Sequence, residues 1–266
     1  MRLAGRTAIV TGGAAGIGRA IALRFGREGA HVIVADLDDS DTSSKGEGPA
    51  TAGHIAAADG KATFIRTDVT CPEDVDTLFA NAAGITGRID IVVSNAGIFR
   101  GAPILDTPNE AWDADMDLNL RSHYLVNRRA VAVMVVQEEI DEVRGRIVNM
   151  ASQLGTTAPP RHLSYAVAKA GITQLTRQLA VDYARHGIIV NALAPGRIIT
   201  GHHPGEAEYL SHGTIDDATK YSLERTPFPR LGRPDDVAGA ALFLASDDCT
   251  FVSGHVLAVD GGWTAY

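Results

Sequence analysis

A chain of 266 residues, 45% of them hydrophobic, can bury a sizeable core in one domain. Its 32 acidic against 24 basic side chains give a net charge of −8, and with no basic run this argues against a nucleic-acid partner. No stretch approaches the ~18 consecutive apolar residues of a membrane span, and the two cysteines, Cys71 and Cys249, are too few for a disulfide framework.

In chain order, the first predicted strand, Arg6–Thr11, follows Met1 almost at once. No basic-then-apolar leader precedes it, so a reducing cytoplasm is the expected setting. The strand runs into Thr11-Gly12-Gly13-Ala14-Ala15-Gly16-Ile17-Gly18, and a helix pattern over Ile17–Glu28 follows, stopped by Gly29. Strand, glycine turn and helix in that order suit a pyrophosphate: missing side chains let it approach the backbone, and the helix start offers unpaired N–H groups. Gly12, Ala15, Gly16, Ile17 and Gly18 are the candidate cradle.

The second strand, His31–Ala35, ends at Asp36, eighteen residues beyond Gly18. A carboxylate there accepts hydrogen bonds from both ribose hydroxyls and repels a 2′-phosphate. The turn carries no Arg or Lys, and Leu37 follows Asp36, so NAD is expected over NADP. Arg19 reads as a solvated helix charge, and Asp38, Asp39 and Asp41 as loop solvation. Ser40–Pro49 reads as a surface loop, Thr51–Ala58 as a crossing helix and Ala62–Arg66 as the third strand. Asp68 and Val69 follow it, with Asp68 also a candidate helix N-cap.

The fourth strand, Ile89–Ser94, ends at Asn95-Ala96-Gly97, on the carboxyl edge where open α/β sheets bind ligands. One helix is predicted over Trp112–Val136, and Asn119 inside it needs a reason, because its amide competes for backbone bonds. By the residues alone it is a satisfied buried amide. A charged segment, Gln137–Arg144, precedes the fifth strand, Arg146–Met150, which leads to Ser152. Thirteen residues on, Tyr165 and Lys169 stand four apart and share one face of a helix over Tyr165–Arg185. Such pairs also occur on solvated faces. Beside Ser152, however, a phenol drawn down from its usual ~10 by an adjacent ammonium makes a proton-transfer site. The sixth strand, Ile188–Leu193, ends at Pro195-Gly196, either a plain turn or a ligand edge. Gly201–Pro227 is placed as a lid, and Val256–Val259 is the last strand. Alternating strands and helices predict a single α/β domain, a Rossmann-type doubly wound parallel β-sheet flanked by helices on both faces.

Together, Thr11-Gly12-x-x-x-Gly16-x-Gly18, Asp68-Val69, Asn95-Ala96-Gly97, Asn119, Ser152, Tyr165-x-x-x-Lys169 and Pro195-Gly196-x-x-x-Thr200 resemble the short-chain dehydrogenases/reductases over nearly the whole chain. Ser94, where the family often has Asn, and a long interval between Asn119 and Ser152 depart from the pattern; the extra residues fall in Gln137–Arg144. The resemblance implies that Asn119, Ser152, Tyr165 and Lys169 are catalytic, with Asn119 holding a relay water and Lys169 also bonding the nicotinamide ribose. It implies that Asp68 meets the adenine amino group, that Val69 packs on the ring, and that Ile198 and Thr200 meet the carboxamide. It further implies a homotetramer pairing Trp112–Val136 and Tyr165–Arg185, with the Val259-Asp260-Gly261-Gly262-Trp263 tail reaching a neighbouring subunit's site.

For the substrate, Gln153, Leu154 and Gly155, and Ile98, Phe99 and Arg100, are expected to face the pocket. Ser152, Gln153, Tyr165, Arg197, His202 and His203 are the candidate contacts, with His162 near the opening. Several hydrogen bonders favour a small sugar or polyol, although the histidine pair reads equally as solvated lid surface. The expected activity is hydride transfer between NAD and a small secondary alcohol. The competing readings are a 3-oxoacyl thioester or other ketone reductase, which Asp36 counts against, and a non-catalytic dinucleotide sensor, which the intact tetrad counts against. Nine histidines without ligand spacing predict no metal.

Overall fold

The apolar segments become strands β1 (Thr7–Thr11), β2 (His31–Asp36), β3 (Lys61–Arg66), β4 (Ile91–Ser94), β5 (Gly145–Met150), β6 (Ile188–Pro195) and β7 (Val256–Val259) in a computed structural model. The structure describes residues 1–39, 50–201 and 217–265. Among these residues one seven-stranded sheet forms in the order β3-β2-β1-β4-β5-β6-β7, and every neighbouring pair is parallel. Order reverses at β1, between β2 and β4, and there the strand ends open a crevice. The expected doubly wound architecture is what the chain adopts.

Helices α1 (Gly16–Arg27), α2 (Thr51–Ala57), α3 (Pro72–Thr86), α4 (Asn109–Met116), α5 (Ser122–Met134), α6 (Leu163–Tyr183), α7 (Asp217–Arg225) and α8 (Pro234–Ala245) flank the sheet. Successive strand side chains point to opposite faces, so each central strand supplies both cores. Val10, Val34, Val93 and Val148 pack with Ile21 and Phe25 of α1 and Leu242 of α8. Ile9, Ile33, Val92 and Ile147 pack with Leu78 and Phe79 of α3 and Val126 of α5.

Three sequence expectations change. The helix predicted over Trp112–Val136 is α4 and α5, joined by a π-helical turn, Asp117–Arg121. β4 starts at Ile91 because the Gln137 amide occupies both backbone groups of Ile89, accepting its N–H at 2.8 Å and donating to its carbonyl at 2.9 Å. Arg19 is not a free surface charge; its guanidinium donates to Thr51 Oγ1 at 2.8 Å, and that hydroxyl donates to the Ala14 carbonyl, tying α2 to the glycine turn. The segment Gln137–Arg144 closes on an Ile140–Val143 bridge just before β5, at the end of the sheet away from the glycine turn. Positions 40–49, expected as a loop, lie outside the described residues.

Candidate active site

The glycine turn is braced from β4. Thr11 Oγ1 accepts the N–H groups of Asn95 (2.9 Å) and Ala96 (3.2 Å), while the Asn95 amide donates to the carbonyls of Thr11 (2.9 Å) and Gly12 (3.2 Å). Asn95, read as a cofactor contact, thus commits its amide N–H groups to holding the turn. Gly18 packs so closely that a Cβ there would meet the Gly12 carbonyl oxygen and lie 2.6 Å from Asn95 Nδ2. No side chain caps the start of α1, and its first turn holds no acidic residue. Its leading N–H groups are therefore left without a side-chain acceptor, as an anion-binding helix start requires.

Asp36 closes the far side: its carboxylate accepts Ala14 N at 3.0 Å and Leu37 N at 2.8 Å. The Leu37 side chain is exposed. Asp68 turns to its own loop, accepting both the N–H (2.9 Å) and the hydroxyl (2.7 Å) of Thr70, which hold its carboxyl below the usual range. The helix N-cap expected at Asp68 is Cys71 instead. Val69 is buried against the second core. A turn of glycines and small residues, an uncapped helix start and a carboxylate beside the turn fit a dinucleotide.

The four polar residues converge at the carboxyl edge. Ser152, just beyond β5, accepts Leu154 N at 3.2 Å and shares a cavity wall with Tyr165, whose phenol it draws down. Lys169, one helical turn on, is buried; its Nζ donates to the Met150 carbonyl at 2.8 Å and lies 5.5 Å from the Tyr165 ring centroid. Asn119 sits in the π turn, where Oδ1 accepts Ile98 N at 2.9 Å and Nδ2 is buried without a partner. The widened turn is the reason a mid-helix asparagine is tolerated: it turns the amide out of the helical ladder and across to β4's end. A Cβ on Gly97 would lie 2.8 Å from Asn119 Oδ1 and 3.6 Å from Lys169 Nζ, so glycine keeps that junction open.

Electrostatics correct one expectation. Burial pushes the Tyr165 phenol up to about 12, outweighing the downward pull of its bond with Ser152. Burial also pulls Lys169 down to about 7. The same burial that raises the phenol takes part of the charge from its neighbour at neutral pH, so the two groups of the protein alone do not produce an acidic tyrosine.

A cavity of about 250 Å³ opens beside these groups, and Ile17, Ser152, Gln153, Leu154, Tyr165, Pro195, Gly196, Arg197, Ile198 and Thr200 share its wall. Phe99 also lines it, with its ring edge-on to Tyr165 at 4.9 Å, and His162 tilts against Phe99. The other expected wall residues do not line it: Ile98 gives its backbone N–H to Asn119, Arg100 pairs with Asp115 at 3.7 Å, and Gly155 packs against the Lys169 backbone. His202 and His203 lie outside the described residues, and of the predicted lid α7 supplies Tyr221 and Ser222 to the wall. Trp263, expected to serve a neighbouring subunit, is buried in its own chain's pocket under the Arg225 guanidinium, 4.2 Å from its ring.

Residues 12–264 match a family model described as enoyl-(acyl carrier protein) reductase. A short-chain type dehydrogenase/reductase from Mycobacterium marinum superposes with a TM-score of 0.87 at 33% identity, over 99% of this chain and 97% of that one. The chain is a short-chain dehydrogenase/reductase. It is 35% identical to the 3-oxoacyl-[acyl-carrier-protein] reductase of Thermotoga maritima over 98% of this chain and 99% of that protein. A structure described as an NAD(P)-dependent gluconate 5-dehydrogenase from Beutenbergia cavernae, with NADP at low occupancy, superposes with a TM-score of 0.85 at 36% identity, covering 99% and 98% of the two chains. As a short-chain dehydrogenase/reductase this protein is an oxidoreductase acting on CH–OH groups, and the family implies a nicotinamide dinucleotide.

Beneath the site of this dehydrogenase/reductase lies a polar layer that sequence reading missed. His123 is fully buried beside Ser122, and burial, then Lys169, holds its imidazole well below its usual range. The Asn127 amide donates to Asn149 Oδ1 (2.7 Å), and the Asn149 amide donates to Thr176 Oγ1 (3.1 Å), linking α5, β5 and α6. The available signal was polar residues at helix and strand positions that apolar periodicity assigns to the core. Among the described residues no helix is long and apolar enough to cross a membrane, and no group of three or more His, Cys, Asp or Glu side chains is placed to hold a metal.

Proposed function

We propose that this protein is an NAD-preferring dehydrogenase of a small secondary alcohol of the sugar or polyol type. The observation that carries the reading is the convergence of Ser152 and Tyr165 on one cavity wall, which Ile17 of the glycine turn also lines, with the buried Lys169 amine 5.5 Å from the Tyr165 ring behind them. A nicotinamide dinucleotide, when bound, supplies the hydride acceptor for oxidation and the donor for reduction. Ser152 Oγ donates to the substrate oxygen and stabilises its developing charge. Tyr165 takes up the hydroxyl proton in oxidation and returns it in reduction. Lys169 holds the ribose and, poised near neutrality, passes a proton to and from the phenol; Asn119 anchors the π turn and its free amide N–H groups hold the relay water.

Asp36 supports NAD, because a 2′-phosphate would bring negative charge onto a carboxylate already fixed against the turn. The cavity, about 250 Å³ with polar groups from Ser152, Gln153, His162 and Arg197, suits a compact hydroxylated molecule better than a steroid or a long acyl chain. Polar substrates of this size and the two free cysteines accord with a cytoplasmic enzyme. A homotetramer is proposed through α4–α5 and α6, where Tyr124, Val167 and Val181 are exposed while Leu175 and Leu179 are half-buried. The match to a 3-oxoacyl reductase favours a second reading, reduction of an oxoacyl thioester with NADPH. An assay of NAD and NADP against aldoses, polyols, cyclic alcohols and hydroxyacyl thioesters separates the two. Turnover confined to thioesters with the phosphorylated cofactor would overturn the first.

A further inference from the structure

We infer that the substrate is a hydroxy acid: a small secondary alcohol bearing a carboxylate, which the Arg197 guanidinium receives in the pocket beside Ser152 and Tyr165. This rests on the dehydrogenase reading above and adds to it the charge of the substrate.

Among the described residues that line the cavity there is no Asp or Glu, and Arg197 is the one Lys or Arg. His162 is held below its usual range by burial, then by Arg161, and burial keeps Tyr165 protonated, so Arg197 carries the pocket's formal charge at neutral pH. The walls around it include Phe99, Leu154, Ile198 and Trp263. A cation against such a wall is costly unless an anion meets it.

Arg197 has no such partner among the described residues. Its Nη2 donates to Thr219 Oγ1 of α7 at 3.0 Å, while Nε is buried without an acceptor. Two carboxylates border the neighbouring hollow that Arg197 also lines, and both are committed. Asp236 receives Arg230 at 2.6 and 2.9 Å and Arg233 N at 2.7 Å. Asp260 receives Gly262 N, Thr264 N and the Thr264 hydroxyl. The Thr219 bond fixes one arm of the guanidinium, and the remaining donors of its planar fork are left for a ligand.

Gln153, adjoining Ser152 and 8% exposed, lines the same cavity with its Oε1 against Gly196, buried and unpartnered. It is an acceptor suited to a substrate hydroxyl. One guanidinium with no second lining cation matches a planar monoanion, which accepts two parallel N–H bonds; a phosphate dianion would be left half-neutralised.

The test uses the full-length protein with NAD and matched pairs: 3-hydroxybutyrate and its amide, aldonates and the alditols of equal chain length, 4-hydroxycyclohexanecarboxylate and its carboxamide. Phosphate monoesters of the same alcohols form a third arm. The acids should exceed their neutral partners in kcat/KM by roughly 10–100-fold, chiefly through KM. Arg197→Gln should bring that ratio to within about three-fold of one, and Arg197→Lys should restore part of it. Dinucleotide titration of each variant shows that it is folded. Neutral partners turned over as well as the acids, a ratio indifferent to Arg197→Gln, or a preference for the phosphate esters would each overturn the carboxylate while leaving the dehydrogenase standing. If no alcohol of any charge reduces NAD or NADP, the dehydrogenase reading falls and takes this inference with it.

Discussion

Tyr165 and Lys169 share a helical face as their spacing requires, yet their chemistry is set by what surrounds them. With the phenol at about 12 and the amine near 7, the protein alone holds a protonated tyrosine beside a lysine that is only partly charged at neutral pH. That pair is ready to donate a proton to a carbonyl. To accept one from an alcohol, the phenol must first be lowered by positive charge, such as the oxidised nicotinamide carries. Replacing Tyr165 with Phe should therefore lower turnover by about 10³-fold or more while dinucleotide affinity, read by fluorescence titration, stays within about two-fold. Turnover within ten-fold of wild type would remove Tyr165 from the proton path.

At the scale of elements, the glycine turn and the π turn do the positioning. The first joins β1 to α1 at the sheet's switch point, and its shape depends on Gly18 lying against Gly12 and Asn95. Ala at position 18 has no room: its methyl would push on a backbone carbonyl that cannot retreat without releasing the Asn95 brace. Gly18→Ala should weaken nicotinamide dinucleotide binding by ~100-fold and cost about 1–3 kcal/mol of stability, checked by calorimetric titration and urea unfolding. Unchanged affinity would mean that the turn is not the phosphate cradle. The second element, Asp117–Arg121, carries Asn119 from α4 toward Gly97. The glycine pattern was legible because turn chemistry is local. The π turn was not, since an apolar period of about four residues looks the same whether one residue is inserted or absent.

For the molecule as a whole, a buried amine makes stability depend on pH in a definite direction. Below pH 7 both folded and unfolded chains carry the Lys169 proton. Between about 7 and the ordinary value of 10.5 only the unfolded chain does, so stability rises with pH across that window. Tyr165 acts oppositely, but only above its ordinary value of 10.0. Lys169→Met removes the first effect. The stability of wild type relative to this variant should climb by up to ~1.4 kcal/mol per pH unit between pH 7 and 10. Urea midpoints at several pH values measure the slope, and a flat difference would show that Lys169 stays charged in the fold.

The sequence by itself determined the strand segments, the alternation of strands and helices that makes the sheet parallel, the glycine turn, the place of Asp36 and the spacing of Ser152, Tyr165 and Lys169, because each depends on residues close in the chain or on a period of two or four. Only the tertiary structure decided that Arg100 and Gly155 leave the pocket wall, that Asp68 turns to Thr70 and Asn95 to the carbonyls of Thr11 and Gly12, that Trp263 closes its own subunit's cavity, and that burial raises the phenol. These outcomes hang on which distant groups compete for the same hydrogen bond or share the same dry volume, and that competition is settled only when the chain has folded.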